Sequence, residues 1–182
     1  MSRSFSPAHL DVAAFAEAKG HLEGRDSLSK FKRLTEETRR QEGDFIVHWQ
    51  ADGERRRAVD GSQRPAVHLR AEAELPLTCQ RCMGPMTAPL RVDRHFVFVP
   101  DEDTAAALDD ESEDDVLALT PDFDLPALIE DELLMTLPLV PRHEDCPVPV
   151  RLSAEDADFD AGEVQEHPFA ALAALKKGSG PH

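Results

Sequence analysis

Cys79 and Cys82 are the residues in this sequence whose type and spacing point most directly to chemistry. A C-x-x-C spacing places two thiols on one side of a tight loop, where they can hold zinc, form a reversible disulfide or simply end a strand. A third cysteine, Cys146, and His143 before it would complete a Cys3His set, which suits a tetrahedral zinc ion. These four residues are the candidate metal ligands.

Two other readings of the C-x-x-C stay open. Cys79 continues the apolar face of a strand and could be a small buried hydrophobic residue, with Cys82 a turn residue. A redox C-x-x-C usually opens a helix, and Met83-Gly84-Pro85 does not continue as one, so the redox reading is the least favoured. A zinc ribbon would need a second cysteine pair, and Pro149 stands where that partner would fall.

The elements around the motif indicate an antiparallel sheet. Apolar residues alternate with polar ones over 67–78, and a further strand is predicted over 90–99, so that the C-x-x-C lies in the connection between two strands. Before them, 45–49 and 55–59 are predicted to form a hairpin around the turn residues 51–54. A strand with one face buried and one face wet belongs to an antiparallel sheet.

Helices are predicted on both sides of this sheet. A short helix over 10–18 has Asp11 as its cap and Gly20 as its stop, and a second covers 29–40. A helix over 124–137 repeats leucine or isoleucine every four residues, is capped by Asp124 and ends before Pro138. Residues 101–115 hold nine acidic residues and no basic one, which predicts a solvated loop.

The predicted fold class is therefore α+β, with four to five antiparallel strands covered by one helix. At 182 residues the chain suits a single domain. Its predicted parts are a helical leader (1–42), the sheet with its C-x-x-C hairpin (43–100), an acidic loop (101–119), a packing helix (120–141) and an irregular tail with a short final helix (142–182).

The net charge of −16 is distributed unevenly along the chain. Residues 1–94 hold 16 of the 20 basic residues and 14 of the 36 acidic ones, so the acidity belongs to the second half. An odd cysteine count without a signal-peptide pattern predicts a cytoplasmic protein. The densest apolar stretch, 133–140, is too short to span a membrane, so no membrane partner is expected.

The first half offers an arginine surface that could meet RNA phosphates or stack on bases. Its members are Arg55, Arg56, Arg57, Arg70, Arg81, Arg91 and Arg94, with Arg64 beside them. The alternative is that these arginines only solubilise an exposed face, which Glu72, Glu74 and Asp93 would partly neutralise. Motifs of common enzymes, such as G-x-S-x-G or a P-loop, do not occur, and His68 and His95 are typical of ordinary surface histidines.

Three stretches in this order carry a resemblance to a known family. They are Leu77–Cys82, then Ile129–His143 with Cys146 after it, and Pro168–Lys176. Together they resemble the bacterial large ribosomal RNA subunit accumulation proteins, the YceD-like family. Cys79, Cys82 and Cys146 match cysteines of that family. The sequence departs from the pattern in having no fourth cysteine and in having His167, rather than a helix cap such as Asn, before Pro168.

The resemblance implies a non-enzymatic, cytosolic factor in ribosome synthesis that supports accumulation of large-subunit ribosomal RNA. Direct contact with ribosomal RNA or with a large-subunit precursor is the leading hypothesis. The first alternative is a protein that acts through protein partners, such as basic ribosomal proteins, by its acidic segment. A hydrolase with an unrecognised site is the second alternative.

Overall fold

The computed structural model describes residues 4–39, 43–58, 61–109 and 112–149. The elements described below belong to one compact unit that ends at Val148. The final helix predicted from Pro168 lies outside the described residues.

The described residues form a five-stranded sheet with four α-helices. The strands are β1 (His21–Ser27), β2 (Ile46–Arg57), β3 (Gln63–Thr78), β4 (Pro85–Val99) and β5 (Asp115–Ala118), and they lie in the order β1-β2-β3-β4-β5. The helices are α1 (Val12–Glu17), α2 (Lys32–Glu36), α3 (Glu102–Asp109) and α4 (Leu125–Met135), and a single 3-10 turn, Leu28–Lys30, precedes α2. The α+β class is confirmed.

One face of the sheet, here called the core face, carries most of the hydrophobic core. Strand β3 follows the predicted alternation, and its core-face residues are buried: Val67, Leu69, Ala71, Ala73, Leu75 and Leu77. Leu90, Val92, Phe96 and Phe98 of β4 lie in the same cluster, together with residues of α1, α2 and α4. The opposite face, here called the open face, carries the polar side chains of β1 to β4.

Helices α1 and α4 begin where the sequence places their caps. The carboxylate of Asp11 accepts the Ala14 N–H at 2.9 Å, and that of Asp124 accepts the Ala127 N–H at 3.0 Å. The segments before the two helices also pair with each other, because the Leu10 N–H donates to the Phe123 carbonyl at 2.9 Å. Both helices are thereby held over the core face.

The predicted hairpin around 51–54 is wrong, because β2 runs through these residues as one strand. The sequence predicts a turn at Gly53, but this glycine instead allows a close approach of α1. A Cβ at this position would lie 2.5 Å from the Phe15 carbonyl oxygen, so only glycine lets α1 pack on this part of β2. In place of the predicted returning strand over 55–59, the strand that pairs with residues 46–52 on this side is β1.

Strand β1 lies within the predicted helical leader, which is a second correction. It pairs antiparallel with β2, from His21 opposite Asp52 to Ser27 opposite Ile46. The helix expected over 29–40 is reduced to the 3-10 turn and the five residues of α2. Phe31 and Leu34 are nevertheless buried in the core.

The acidic segment is not one continuous loop. Helix α3 begins after Asp101, whose carboxylate accepts the Thr104 N–H at 2.8 Å, and β5 follows it. Ala105 packs with Val99 and Val116 in a small second cluster on the open face. Because β5 runs parallel to β4, the sheet is mixed rather than purely antiparallel.

Two acidic residues of α4, Glu130 and Glu132, have structural roles. Glu132 is only 8% exposed and pairs with Arg94 of β4 at 3.3 Å. Burial raises the pKa of Glu132, and Arg94 opposes that rise. Glu130 accepts the N–H groups of Arg33 and Leu34 at 2.7 and 3.2 Å, which supplies α2 with the cap that Phe31 cannot give.

Within the described ranges, no helix has the length and apolar content to span a membrane.

Gly53→Ala should destabilise the protein by about 1–3 kcal/mol, because the added methyl group meets the backbone of α1 rather than a movable side chain. Urea denaturation followed by circular dichroism measures this difference. Gln50→Ala, on the exposed side of the same strand, is the control and should change the free energy of unfolding by less than about 0.5 kcal/mol. Equal stability of the two variants would contradict the close packing of α1 on Gly53.

Candidate metal centre and open face

The turn between β3 and β4 forms the first half of the candidate metal centre. The Cys79 N–H donates to the Gly84 carbonyl at 2.9 Å, and the Met83 N–H donates to the Cys79 carbonyl at 2.8 Å. Met83 adopts a left-handed backbone with φ of 57°, which lets the chain reverse directly after Cys82. Both thiols of the C-x-x-C therefore lie at one end of the sheet.

The segment that follows α4 supplies the second half. It returns to the turn, where the Gln80 N–H donates to the Pro141 carbonyl at 2.8 Å and the His143 N–H approaches the Cys79 sulfur at 3.4 Å. His143 and Cys146 are thereby placed against Cys79 and Cys82. The structure thus brings all four sequence-predicted ligands together.

The donor atoms of the four residues lie within 4.8 Å of one another, a separation that could hold a metal ion. Donors at the bond lengths usual for zinc are about 3.5–3.8 Å apart around a tetrahedron. Here the Cys79 and Cys146 sulfurs are 3.9 Å apart, and the Cys82 sulfur lies 3.4 Å from His143 Nδ1. His143 Nε2 lies 3.0 Å from the Pro85 carbonyl oxygen, so donation to that oxygen would leave Nδ1 for the metal.

Backbone N–H groups make the turn a favourable place for a thiolate. Burial opposes ionisation of Cys79, but hydrogen bonds from the backbone of Cys82, His143 and Arg81 lower its pKa to about 5. The thiolate is the form that binds metals. The centre therefore offers a soft anionic donor near neutral pH.

Arg81 connects the two halves of the centre rather than pointing into solvent. Its Nε donates to the Cys146 sulfur at 3.0 Å, and its NH2 group donates to the carbonyls of His143 and Glu144 at 2.9 and 3.0 Å. These contacts fix the loop that carries two of the four donors. They also occupy the guanidinium that the sequence assigns to RNA.

The structure does not gather the other predicted RNA-binding arginines into one basic patch. Arg55 and Arg57 are exposed at the end of β2, whereas Arg56 pairs with Asp114 at 2.8 Å. On the open face, Arg70 pairs with Asp52 at 2.5 Å, and Arg91 lies 3.9 Å from Glu72. Arg94 projects on the core-face side, towards Glu132 and Asp115. Acidic residues thus accompany most of these arginines.

The open face also carries a histidine and carboxylate network that the sequence does not reveal. The rings of His68 and His95 stack with their centroids 4.0 Å apart. His68 contacts Asp93 at 2.6 Å, and His95 contacts Glu54 at 2.8 Å. The available signal was strand parity, which puts both histidines on the wet face, but their pairing depends on the register of β3 and β4.

Comparisons with known proteins find sequence similarity over much of this chain. The family model for Large ribosomal RNA subunit accumulation protein YceD matches residues 67–176, a span that includes all four candidate ligands. The Haemophilus influenzae protein named Large ribosomal RNA subunit accumulation protein YceD is 32% identical over 127 residues. That alignment covers 65% of this chain and 70% of the relative. No solved structure gives a significant match.

Arg81→Ala should weaken metal binding at the four-residue site by about tenfold, because outer contacts of this kind orient the ligands. Titration of the metal-free protein with Co²⁺, followed by thiolate-to-cobalt absorption, measures the affinity. Arg91→Ala removes an exposed arginine that has no contact with the four donors, and it should bind as the unaltered protein does. If Arg81→Ala also binds normally, the loop does not depend on this guanidinium.

Proposed function

The chain belongs to the large ribosomal RNA subunit accumulation protein YceD family, and we propose that it is a non-enzymatic cytoplasmic factor in ribosome synthesis. In this role it supports accumulation of large-subunit (23S) ribosomal RNA by contacting that RNA or a precursor particle. The observation that carries the proposal is the match over residues 67–176, which takes in most of β3, all of β4 and α4, and the metal centre.

The proposed RNA contact uses arginines at the end of β2 and on the open face. Arg55, Arg57 and Arg91 have exposed side chains and can reach phosphate directly. Arg56 and Arg70 are paired with carboxylates at a partly exposed surface, where ion pairs contribute only about 0–1 kcal/mol. A phosphate can therefore replace the carboxylate at modest cost. The carboxylates beside these arginines would limit nonspecific binding to other RNA molecules.

The metal centre is proposed to hold a structural zinc ion. Cys79, Cys82, His143 and Cys146 would supply four protein ligands, which is the closed arrangement typical of structural rather than catalytic zinc. When bound, zinc would cross-link the β3–β4 turn to the segment after α4. A closed site leaves no position for a substrate, which favours the non-enzymatic reading over a metal-dependent hydrolase.

A second candidate function is docking of a basic ribosomal protein through the acidic segment. The exposed carboxylates of Glu102 and Asp103, in the first turn of α3, favour it. Glu102→Gln with Asp103→Asn removes two charges without disturbing the packing of Ala105. Loss of co-purifying ribosomal proteins together with loss of RNA crosslinking would support docking, because direct RNA contact should survive these substitutions.

Protein purified without chelator should contain close to one zinc ion per chain, measured by elemental analysis against protein concentration. Cys146→Ser should lose the metal and melt at a lower temperature, while the far-ultraviolet circular dichroism of the sheet is retained because the core lies elsewhere. Gln80→Ser, an exposed residue of the same turn that donates no ligand, is the control and should keep its zinc. A metal-free native protein would refute the zinc proposal without touching the RNA proposal.

Arg55→Glu combined with Arg57→Glu should lower crosslinking of the protein to large-subunit ribosomal RNA in cells by about tenfold, because two charged contacts become repulsive. Lys32→Glu with Arg39→Glu makes the same change in net charge at exposed sites, and Arg39 lies at the opposite end of the sheet, where its N–H donates to the Pro76 carbonyl. That control should crosslink normally. Equal crosslinking of both double variants, or none by the unaltered protein, would refute direct RNA contact at this surface.

A further inference from the structure

Strand β1 is an edge of the sheet whose outer side has no strand partner among the described residues. An exposed edge of this kind is a template for pairing with another strand. Two hydrogen bonds at the ends of β1 show which of its backbone groups face outward. The Gly53 N–H donates to the Gly20 carbonyl, and the Leu28 N–H donates to the Phe45 carbonyl, both at 2.8 Å.

These two contacts fix the direction of every backbone group in β1. The Gly20 carbonyl and the Leu28 N–H both point towards β2, and the direction of the backbone N–H and C=O groups alternates from residue to residue along an antiparallel strand. The residues at odd positions therefore direct their N–H and C=O groups away from β2. They are His21, Glu23, Arg25 and Ser27.

The residues of β1 whose backbone groups face away from β2 are complementary in charge to the same residues in a second copy of β1. Glu23 and Arg25 are exposed and project from the open face, on either side of Gly24. If two copies of β1 pair antiparallel about a two-fold axis at Gly24, Glu23 of each lies opposite Arg25 of the other. His21 then lies opposite Ser27. Each of these pairs joins residues whose backbone groups already face outward, so the register suits hydrogen bonds and charge together.

The neighbouring registers are disfavoured by the same charges. An axis at Glu23 would place that carboxylate opposite its own copy, and an axis at Arg25 would place the two guanidinium groups together. Like charges directly opposite each other destabilise a strand pair. Edge strands that avoid pairing commonly use charge for repulsion, whereas Glu23 and Arg25 attract each other's copies in the register centred on Gly24.

We propose that β1 pairs with β1 of a second copy about a two-fold axis at Gly24, so that the protein forms a symmetric dimer. The sheet then runs unbroken through both copies. Because opposed residues in a strand pair lie on the same face, the two open faces lie side by side on one surface. The inference concerns assembly and does not rest on the proposed role in ribosomal RNA accumulation.

Sedimentation velocity of the full chain over a wide concentration range tests the dimer. The unaltered protein should show a monomer–dimer equilibrium, and Glu23→Arg or Arg25→Glu alone should raise the dissociation constant by about tenfold or more, because each replaces two attractions with two repulsions. The double variant Glu23→Arg/Arg25→Glu restores opposite charges and should recover the dimer. Circular dichroism verifies that each variant is folded.

A backbone variant separates strand pairing from a contact made only by side chains. Arg25→Pro removes an N–H that faces outward, so it should abolish the dimer while the pairing with β2 persists. An unaltered protein that stays monomeric at all concentrations would overturn the proposal. So would a double variant that fails to recover the dimer although it is folded, or single charge reversals without effect.

Discussion

The long antiparallel pairing of β3 and β4 is the constraint on which the other features depend. The two strands stay in register from Thr78 opposite Pro85 to Ala66 opposite Val97. Because side chains alternate along a strand, this one register decides which residues form the core and which form the open face. It also places Cys79 and Cys82 in the turn, and His68 beside His95. A slip by one residue would bury charge and expose the core.

The parts of the fold that the sequence predicts are those with a strong local signal. The alternation of β3, the leucine spacing of α4 and the caps Asp11 and Asp124 each depend on residues near in sequence, and all are confirmed. Predicting that the four candidate metal ligands come together requires more, because Cys79 and Cys146 are 67 residues apart. Ligand chemistry supplied that prediction where periodicity could not.

The features that the sequence does not predict depend on distant partners. Strand β1 contains Gly24 and three charged residues, and its stability comes from pairing with β2. Gly53 looks like a turn residue until α1 is packed against it. Arg94 follows the parity of the buried residues of β4, yet its charge suggested solvent; only the neighbouring carboxylates of Glu132 and Asp115 explain its position. Helix α3 likewise needs Val99 and Val116 to bury Ala105.

The two halves of the candidate metal centre are far apart along the chain, and this has a consequence for the order of events during synthesis. The strands lie in the sheet in the order in which the ribosome makes them, so each can add to a neighbour that has already emerged. Cys79 and Cys82 are made early, but their site cannot close until His143 and Cys146 have left the exit tunnel. A nascent chain that ends before these residues can already form its sheet, although the site then lacks two of its four donors. The four donors can therefore come together only after α4 has been synthesised.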